Sequence, residues 1–313
     1  MPSVLYIVVP CYKDEDTLIA SVPVFLEKIG SLVGAGKIAP SSRLVLVNDG
    51  SPDRTWETIL SLREKDKTRI TAINLEQNVG EQNALIAGMT YAAEKADCVI
   101  TMDSDLQDDI NAVDQMLALF EEGKDVVFGV RSDRSKDGLF ERLCSRTFYA
   151  LMTAAKTGLM NEHSNYRLLS KRAILRLIDD LPENYFLPCA VSNLPVPGAV
   201  VFHERRDRIA GTSSYGFRRK LRLAKDALFS HSAFPLKLMS LAALVCSGLF
   251  VLFFVLWLAL PEETASLTML VLAVISIAFA AVFVCQRIIG EYAYKAFEEA
   301  KQKKKYQIDT ILE

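Results

Sequence analysis

Short apolar runs rich in β-branched residues alternate with amphipathic segments through residues 1–130. Val4–Val9, Leu44–Val47, Ile70–Asn74, Cys98–Met102 and Val126–Val130 read as strands. Between them, Asp16–Leu32 carries Val22, Phe25, Leu26 and Ile29 at helical spacing, and Thr55–Glu64, Gln82–Lys95 and Ile110–Glu121 also read as helices. Strands that are apolar throughout are covered on both faces. Repeated βα units of this kind predict an α/β fold with a mainly parallel sheet and helices on both sides. Such sheets bind ligands beyond the carboxyl ends of their strands. Polar residues follow each strand: Pro10-Cys11-Tyr12-Lys13-Asp14, Asn48-Asp49-Gly50-Ser51, Asn78-Val79-Gly80, Asp103 to Asp109, and Arg131. Asp-Gly and Ser-Pro-Asp are ordinary turn formers, which accounts for some of these. Turn chemistry alone does not explain polar clusters at so many ends that converge on one rim.

The pattern changes in the C-terminal third. Residues 238–260 and 267–285 carry no charge, and the acidic break Pro261-Glu262-Glu263 separates them. The first run, as a helix, is about 34 Å long and the hydrocarbon core of a bilayer is roughly 30 Å thick, so the two runs predict a transmembrane hairpin. Arg218, Arg219, Lys220, Arg222, Lys225 and Lys237 precede it, and Arg287, Lys295, Lys301, Lys303, Lys304 and Lys305 follow it. The positive-inside rule therefore places both termini in the cytoplasm of a multi-pass protein of the cell (plasma or inner) membrane. Residues 139–159 and the basic stretch 216–235 show helical amphipathicity suited to the membrane interface. This divides the chain into a cytoplasmic domain over 1–215, a juxtamembrane helix over 216–235, two spans within 236–288 and a basic tail over 289–313.

Composition adds little. At 313 residues and 50% hydrophobic the chain can bury a full core, and its net charge of −2 does not point to nucleic acid. Its 6 cysteines form no C-x-x-C pair and read as reduced, buried thiols rather than a zinc site or disulfide framework. His163, His203 and His231 are isolated and read as structural or surface residues. The acidic burst is more telling. If the chain stays extended past the fourth strand, Asp103, Asp105 and Gln107 share one side and offer two carboxylates and an amide oxygen. That set suits Mg²⁺ or Mn²⁺ carrying a phosphorylated ligand. The competing reading of the same residues is a solvated acidic turn.

Val8 to Glu15, Val47-Asn48-Asp49-Gly50-Ser51-x-Asp53, Asn78-x-Gly80, Asp103-x-Asp105-Leu106-Gln107 and Gly129-x-Arg131-x-x-Arg134 occur in an order that resembles family 2 glycosyltransferases of the GT-A fold. The branch it is most similar to is the polyprenyl-phosphate glycosyltransferases, such as dolichol-phosphate mannose synthase and bacterial undecaprenyl-phosphate sugar transferases. Tyr166-Arg167-Leu168-Leu169-Ser170, Arg208-x-x-Gly211-x-Ser213-x-Tyr215, the hairpin and Gly290-Glu291-Tyr292 extend the likeness over nearly the whole chain.

The resemblance implies inverting, metal-dependent transfer of one sugar from a UDP- or GDP-sugar to a polyprenyl phosphate. Pro10, Tyr12, Asp14, Asp49, Gly50 and Asn78 would line the nucleotide pocket, with Asp103 at the nucleotide-sugar. Asp105 and Gln107 would hold the Mg²⁺ or Mn²⁺. Arg131 and Arg134, with Arg142, Arg146 and Arg208, would meet the acceptor phosphate, and Asp103, Asp105 and Arg131 would carry the catalysis. A phosphate monoester nucleophile is mostly dianionic at neutral pH, so it needs positioning by arginine rather than a general base. Two positions depart from the family pattern: Asn165 stands where many relatives have an acid, and Ser214 where they have Lys. Other readings are a membrane-anchored nucleotide-sugar-binding protein without turnover and a processive polysaccharide synthase. The latter lacks a Gln-x-x-Arg-Trp motif and has too few spans. The sugar, the base and the oligomeric state, a homo-oligomer included, stay open.

Overall fold

The computed structural model describes residues 2–132, 163–181, 185–206 and 306–313, together with single helical positions between 271 and 296. The first half follows the expected alternation: β1 (Leu5–Cys11), α1 (Glu15–Gly34), β2 (Arg43–Asn48), α2 (Thr55–Lys65), β3 (Ile70–Leu75), α3 (Glu81–Ala93), β4 (Cys98–Thr101), α4 (Ala112–Glu121) and β5 (Val126–Arg131). Four elements follow that hydrophobic pattern alone did not predict: β6 (His163–Ser170), α5 (Lys171–Asp180), α6 (Leu187–Ser192) and β7 (Gly198–His203). The last is β8 (Ile308–Leu312).

All eight strands form one sheet in the order β7-β5-β6-β4-β1-β2-β3-β8. Strands β4, β1, β2 and β3 are parallel neighbours, as are β5 and β7. Strand β6 runs antiparallel between β4 and β5, and β8 runs antiparallel along β3. The sheet is thus mixed and mostly parallel. Because β4 and β5 both oppose β6, they run the same way, so β1 to β5 and β7 all end on one rim. The amino end of β6 arrives at that rim too.

Alternation along the strands sorts the core into two layers. Leu5, Ile7 and Val9 of β1 pack with Phe25 of α1, Ile59 of α2 and Met116 of α4. Tyr6 and Val8 face the other way, with Ala84 and Leu85 of α3, Ile174 of α5 and Val191 of α6. Each fully buried aliphatic side chain contributes roughly 1.5–3 kcal/mol relative to exposure. Helix α1 is long and apolar enough to cross a membrane by length and composition, but its Leu18, Val22, Phe25, Ile29 and Leu32 are core residues of the first layer.

Both predicted spans, the amphipathic stretches 139–159 and 216–235, and Arg134, Arg142, Arg146 and Arg208 lie outside the described residues, apart from single positions in the second span. There, Val271, Ile275, Val282 and Val284 are helical and exposed, as is Ile289 beyond it. The end of the tail is a strand rather than a solvated extension. Besides pairing with β3, it places Asp309 against Asn74 (3.1 Å) and Glu313 against Lys95. Among the described residues Cys11, Cys98 and Cys189 are buried, and Cys11 and Cys98 are free thiols.

Helix α3 approaches the sheet closely at Gly88. A Cβ there would lie 2.4 Å from Val8 Cγ1 and 2.9 Å from Val47 Cγ2. Both valines sit in central strands, so neither yields without disturbing strand pairing. We expect Gly88→Ala to destabilise the protein by about 1–3 kcal/mol, from overpacking, despite the better helix propensity of alanine. Thermal denaturation checks this, and an unchanged or raised melting temperature would contradict the close approach.

Candidate active site

The strand order reverses beside β1, with β2 on one side and β4 on the other. The crevice between the carboxyl ends of β1 and β4 is therefore the expected ligand position of such a sheet. Pro10 and Cys11 are buried inside the end of β1, so Pro10 shapes the crevice from behind. A proline is tolerated there because β4 pairs with β1 only as far as Val8. The chain then turns sharply, with Lys13 at φ 58, and its backbone N–H donates to Ser51 Oγ (3.2 Å). Asp14 accepts from the Tyr12 N–H (3.0 Å) and its own N–H donates to Thr55 Oγ1 (2.9 Å). Burial pushes the Asp14 carboxyl up; the Tyr12 N–H and Ser104 hydroxyl oppose this, and Asp105 reinforces it.

Asp49 is buried and works as a strut. Its carboxylate accepts from Val79 N (2.8 Å), Gly80 N (3.0 Å) and Asn78 Nδ2 (3.0 Å), pinning the start of α3 to the end of β2. Anionic side chains are favourable at a helix N-terminus. Gly50 adopts φ 56, and a Cβ there would fall 2.3 Å from Gln77 C, so only glycine lets the two loops meet. Asn78 is exposed at the rim. Asp49 and Gly50 thus hold the loops after β2 and β3 together.

The chain does not stay extended after β4. It turns at Ser104–Asp105, Leu106 takes φ 50, and the Gln107 N–H donates back to Asp105 Oδ1 (3.2 Å). Exposure nevertheless alternates. Asp103, Asp105, Gln107 and Asp109 are half-buried, and Ser104, Leu106 and Asp108 are buried. Asp103 and Asp105 are near enough to repel each other. Burial raises the Asp103 carboxyl well above the usual range, and Glu81, Asp108 and Asp105 add to the effect while Arg131 opposes it. The Gln107 amide oxygen accepts from Arg205 Nη2 (3.2 Å), so it already has a protein partner.

Several residues at the site had no role assigned to them from the sequence. Asn165, at the amino end of β6, donates from Nδ2 to Glu81 and stands 3.5 Å from Asp103 Oδ1. Its Oδ1 accepts from Arg167 Nη2 (3.1 Å). One amide thus links two acids to a buried guanidinium, whose pKa burial lowers to about 10 even though Asp103 and Glu81 favour its charge. Arg131, predicted from sequence, is held by Asp108 (2.9 Å). Burial alone would lower the Arg131 pKa, but Asp108, Asp103 and Asp105 reverse that and raise it. His203 is buried, edge-on to Tyr166 at 5.3 Å. Only the parity of the acidic burst hinted at Asp108: it falls on the buried side, where a carboxylate needs a cation.

Among the described residues no three His, Cys, Asp or Glu side chains form a cluster able to hold a metal ion. Mg²⁺ normally takes one or two protein carboxylates and completes its shell with water and substrate phosphate. The crowded Asp103 and Asp105 carboxylates fit that mode of binding, because a divalent cation relieves their repulsion.

The profile of glycosyl transferase family 2 matches residues 6–178, which contain every loop of this crevice except the 203–206 segment. YkoT of Bacillus subtilis, described as an uncharacterized glycosyltransferase, is 35% identical across 99% of this chain and 92% of its own length. The undecaprenyl-phosphate 4-deoxy-4-formamido-L-arabinose transferase of Photorhabdus laumondii is 28% identical over 98% and 93%. The bactoprenol glucosyl transferase of Shigella phage SfV is 32% identical over 74% and 73%. The profile covers more than half of the chain and YkoT is alike over nearly all of it, so this protein, with its mixed, mostly parallel α/β sheet and polar loops gathered at one rim, belongs to glycosyl transferase family 2.

Proposed function

We propose that this glycosyltransferase moves a single sugar from a nucleotide-diphosphate sugar to a polyprenyl phosphate at a membrane surface. The observation that carries this reading is the meeting of two opposite sets of groups at one crevice. Asp103 and Asp105 crowd the end of β4, and the Arg131 guanidinium stands at the end of β5. The acids suit a cation-bound diphosphate, and the arginine suits a second, separate phosphate. The names of two relatives, which specify undecaprenyl phosphate and bactoprenol, support the class of acceptor. The exposed aliphatic side chains along residues 271–289 support a membrane location, as do the uncharged runs 238–260 and 267–285 of the sequence.

On this reading the loops after β1, β2 and β3 hold the nucleotide, with Tyr12 and Asn78 at the opening. Asp105 is the protein ligand to Mg²⁺ or Mn²⁺. Gln107, whose amide oxygen accepts from Arg205, braces the loop. A divalent cation bound there supplies positive charge to the departing diphosphate, worth several kcal/mol in the transition state. Asp103 orients the sugar, through the network it shares with Glu81 and Asn165. Arg131, aided by Arg134 and the basic stretches of the sequence, brings up the acceptor phosphate, which attacks directly, displaces the nucleoside diphosphate and inverts the anomeric centre. No general base is required.

The test is purified protein with labelled UDP- and GDP-sugars, undecaprenyl phosphate and Mg²⁺ or Mn²⁺. We expect one lipid-linked monosaccharide; a growing polymer, or nucleotide binding without turnover for every donor, would contradict the proposal. Asp105→Ala is expected to lower transfer by about 100-fold or more while the protein still folds. Wild-type rates in that variant would sink the metal assignment. Asp49→Ala, which unpins the 78–80 loop, should weaken donor binding by about 10-fold or more. Equal donor affinity, measured by calorimetry, would remove Asp49 from the pocket.

A further inference from the structure

We propose that Asp108 is a positioning residue for the acceptor phosphate: its buried carboxylate fixes the Arg131 guanidinium by the Nε edge and leaves the Nη edge for the phosphate. The proposal rests on the functional reading above and extends it to a residue that reading leaves without a role. Asp108 is 2% exposed, and a carboxylate so enclosed requires a cation. Its Oδ1 accepts from Arg131 Nε at 2.9 Å. Its Oδ2 has no hydrogen-bond partner among the described residues. His203 Nε2, buried beside it, lies 3.7 Å from Oδ1, beyond hydrogen-bond distance. Arg131 is therefore the cation that balances Asp108.

The pair is graded from inside to outside. The Asp108 side chain is 1% exposed and that of Arg131 is 25% exposed, so the acid is sealed in and the guanidinium reaches the opening. Neither Nη has a partner among the described residues. A guanidinium has five N–H donors in one plane, and engaging Nε fixes that plane while four donors remain. A rotamer-rich side chain is thereby ordered before its ligand arrives, which raises affinity without a new contact to the ligand.

Asp108 also sits where three segments join. It belongs to the loop of Asp103 and Asp105, and it holds the end of β5. It is bridged to Arg205 in a segment that docks on the same loop. That docking uses Arg206 N to Gln107 O (2.8 Å) and Arg206 Nη2 to Asp109 Oδ1 (2.9 Å). A purely structural anchor at this junction would disturb the donor loop and the acceptor arginine together. A positioning residue affects the acceptor alone.

The experiment compares wild type, Asp108→Asn, Arg131→Ala and the double variant, with the acceptor titrated at saturating donor. We expect Asp108→Asn to raise the acceptor KM about 30-fold or more, to keep the donor dissociation constant within about 2-fold, and to add nothing to Arg131→Ala. Asp108→Glu should recover part of the loss. Donor affinity that falls in step with acceptor affinity, or additive losses in the double variant, would overturn the proposal. Should Asp108→Asn fail to fold, ¹⁵N-arginine spectra of the wild type decide. A slowly exchanging Arg131 Nε–H supports the contact, and fast exchange refutes it. A protein that makes no lipid-linked sugar from any donor defeats the functional reading, and the Nε–H exchange still tests the contact by itself.

Discussion

Carboxylates crowd the carboxyl ends of β1 and β4, and the rest of the site is arranged around that crowding. Asp105 repels both Asp14 and Asp103, and Glu81 and Asp108 add to the repulsion at Asp103. Burial and mutual repulsion push the Asp14 and Asp103 carboxyls up. The surrounding cations are deployed against individual groups: Arg131 on Asp108, Arg206 on Asp109, and Arg167 through Asn165. Asp103 nonetheless stays raised by burial and by the neighbouring acids, with Arg131 opposing them. On the proposed reading a cation with its diphosphate completes the balance there. On that reading Arg131 stands on another strand, β5, because an arginine beside Asp105 would compete with the cation.

Much of this frame was legible in the sequence because it depends on local patterns. Buried parallel strands read as continuous apolar runs, and β1 to β5 came out within a residue or two of their observed limits. Strands β6 and β7 were not legible. Strand β6 mixes polar and apolar residues, and Asn165 and Arg167 gain partners only when it inserts antiparallel between β4 and β5. Strand β8 follows a lysine-rich stretch, and its five residues gain meaning only from the open edge of β3.

The site shows the same division. Alternation of exposure through Asp103 to Asp109 matches the spacing seen in the sequence, although the extended chain that spacing assumed is absent. The loop is turned rather than extended, and Leu106 at positive φ restores the alternation of exposure. The resemblance implied that Asp49 lines a nucleotide pocket, while the three hydrogen bonds of its carboxylate to 78–80 make it the strut that joins the loops after β2 and β3. Gln107 was read as a metal ligand, yet its amide oxygen meets Arg205, a residue distant in sequence. Such pairings depend on tertiary contacts, which no local spacing encodes.

The central claim is that the crevice between β1 and β4 binds a nucleoside diphosphate through a cation held by Asp105. It is tested most directly by determining the structure with a nucleoside diphosphate and Mn²⁺, with the metal located by its anomalous scattering. The account predicts Mn²⁺ coordinated by the Asp105 carboxylate and by both phosphates, with the nucleoside between the loops at Tyr12 and Asn78. Nucleotide bound away from this crevice, or Mn²⁺ bound without Asp105, would contradict it.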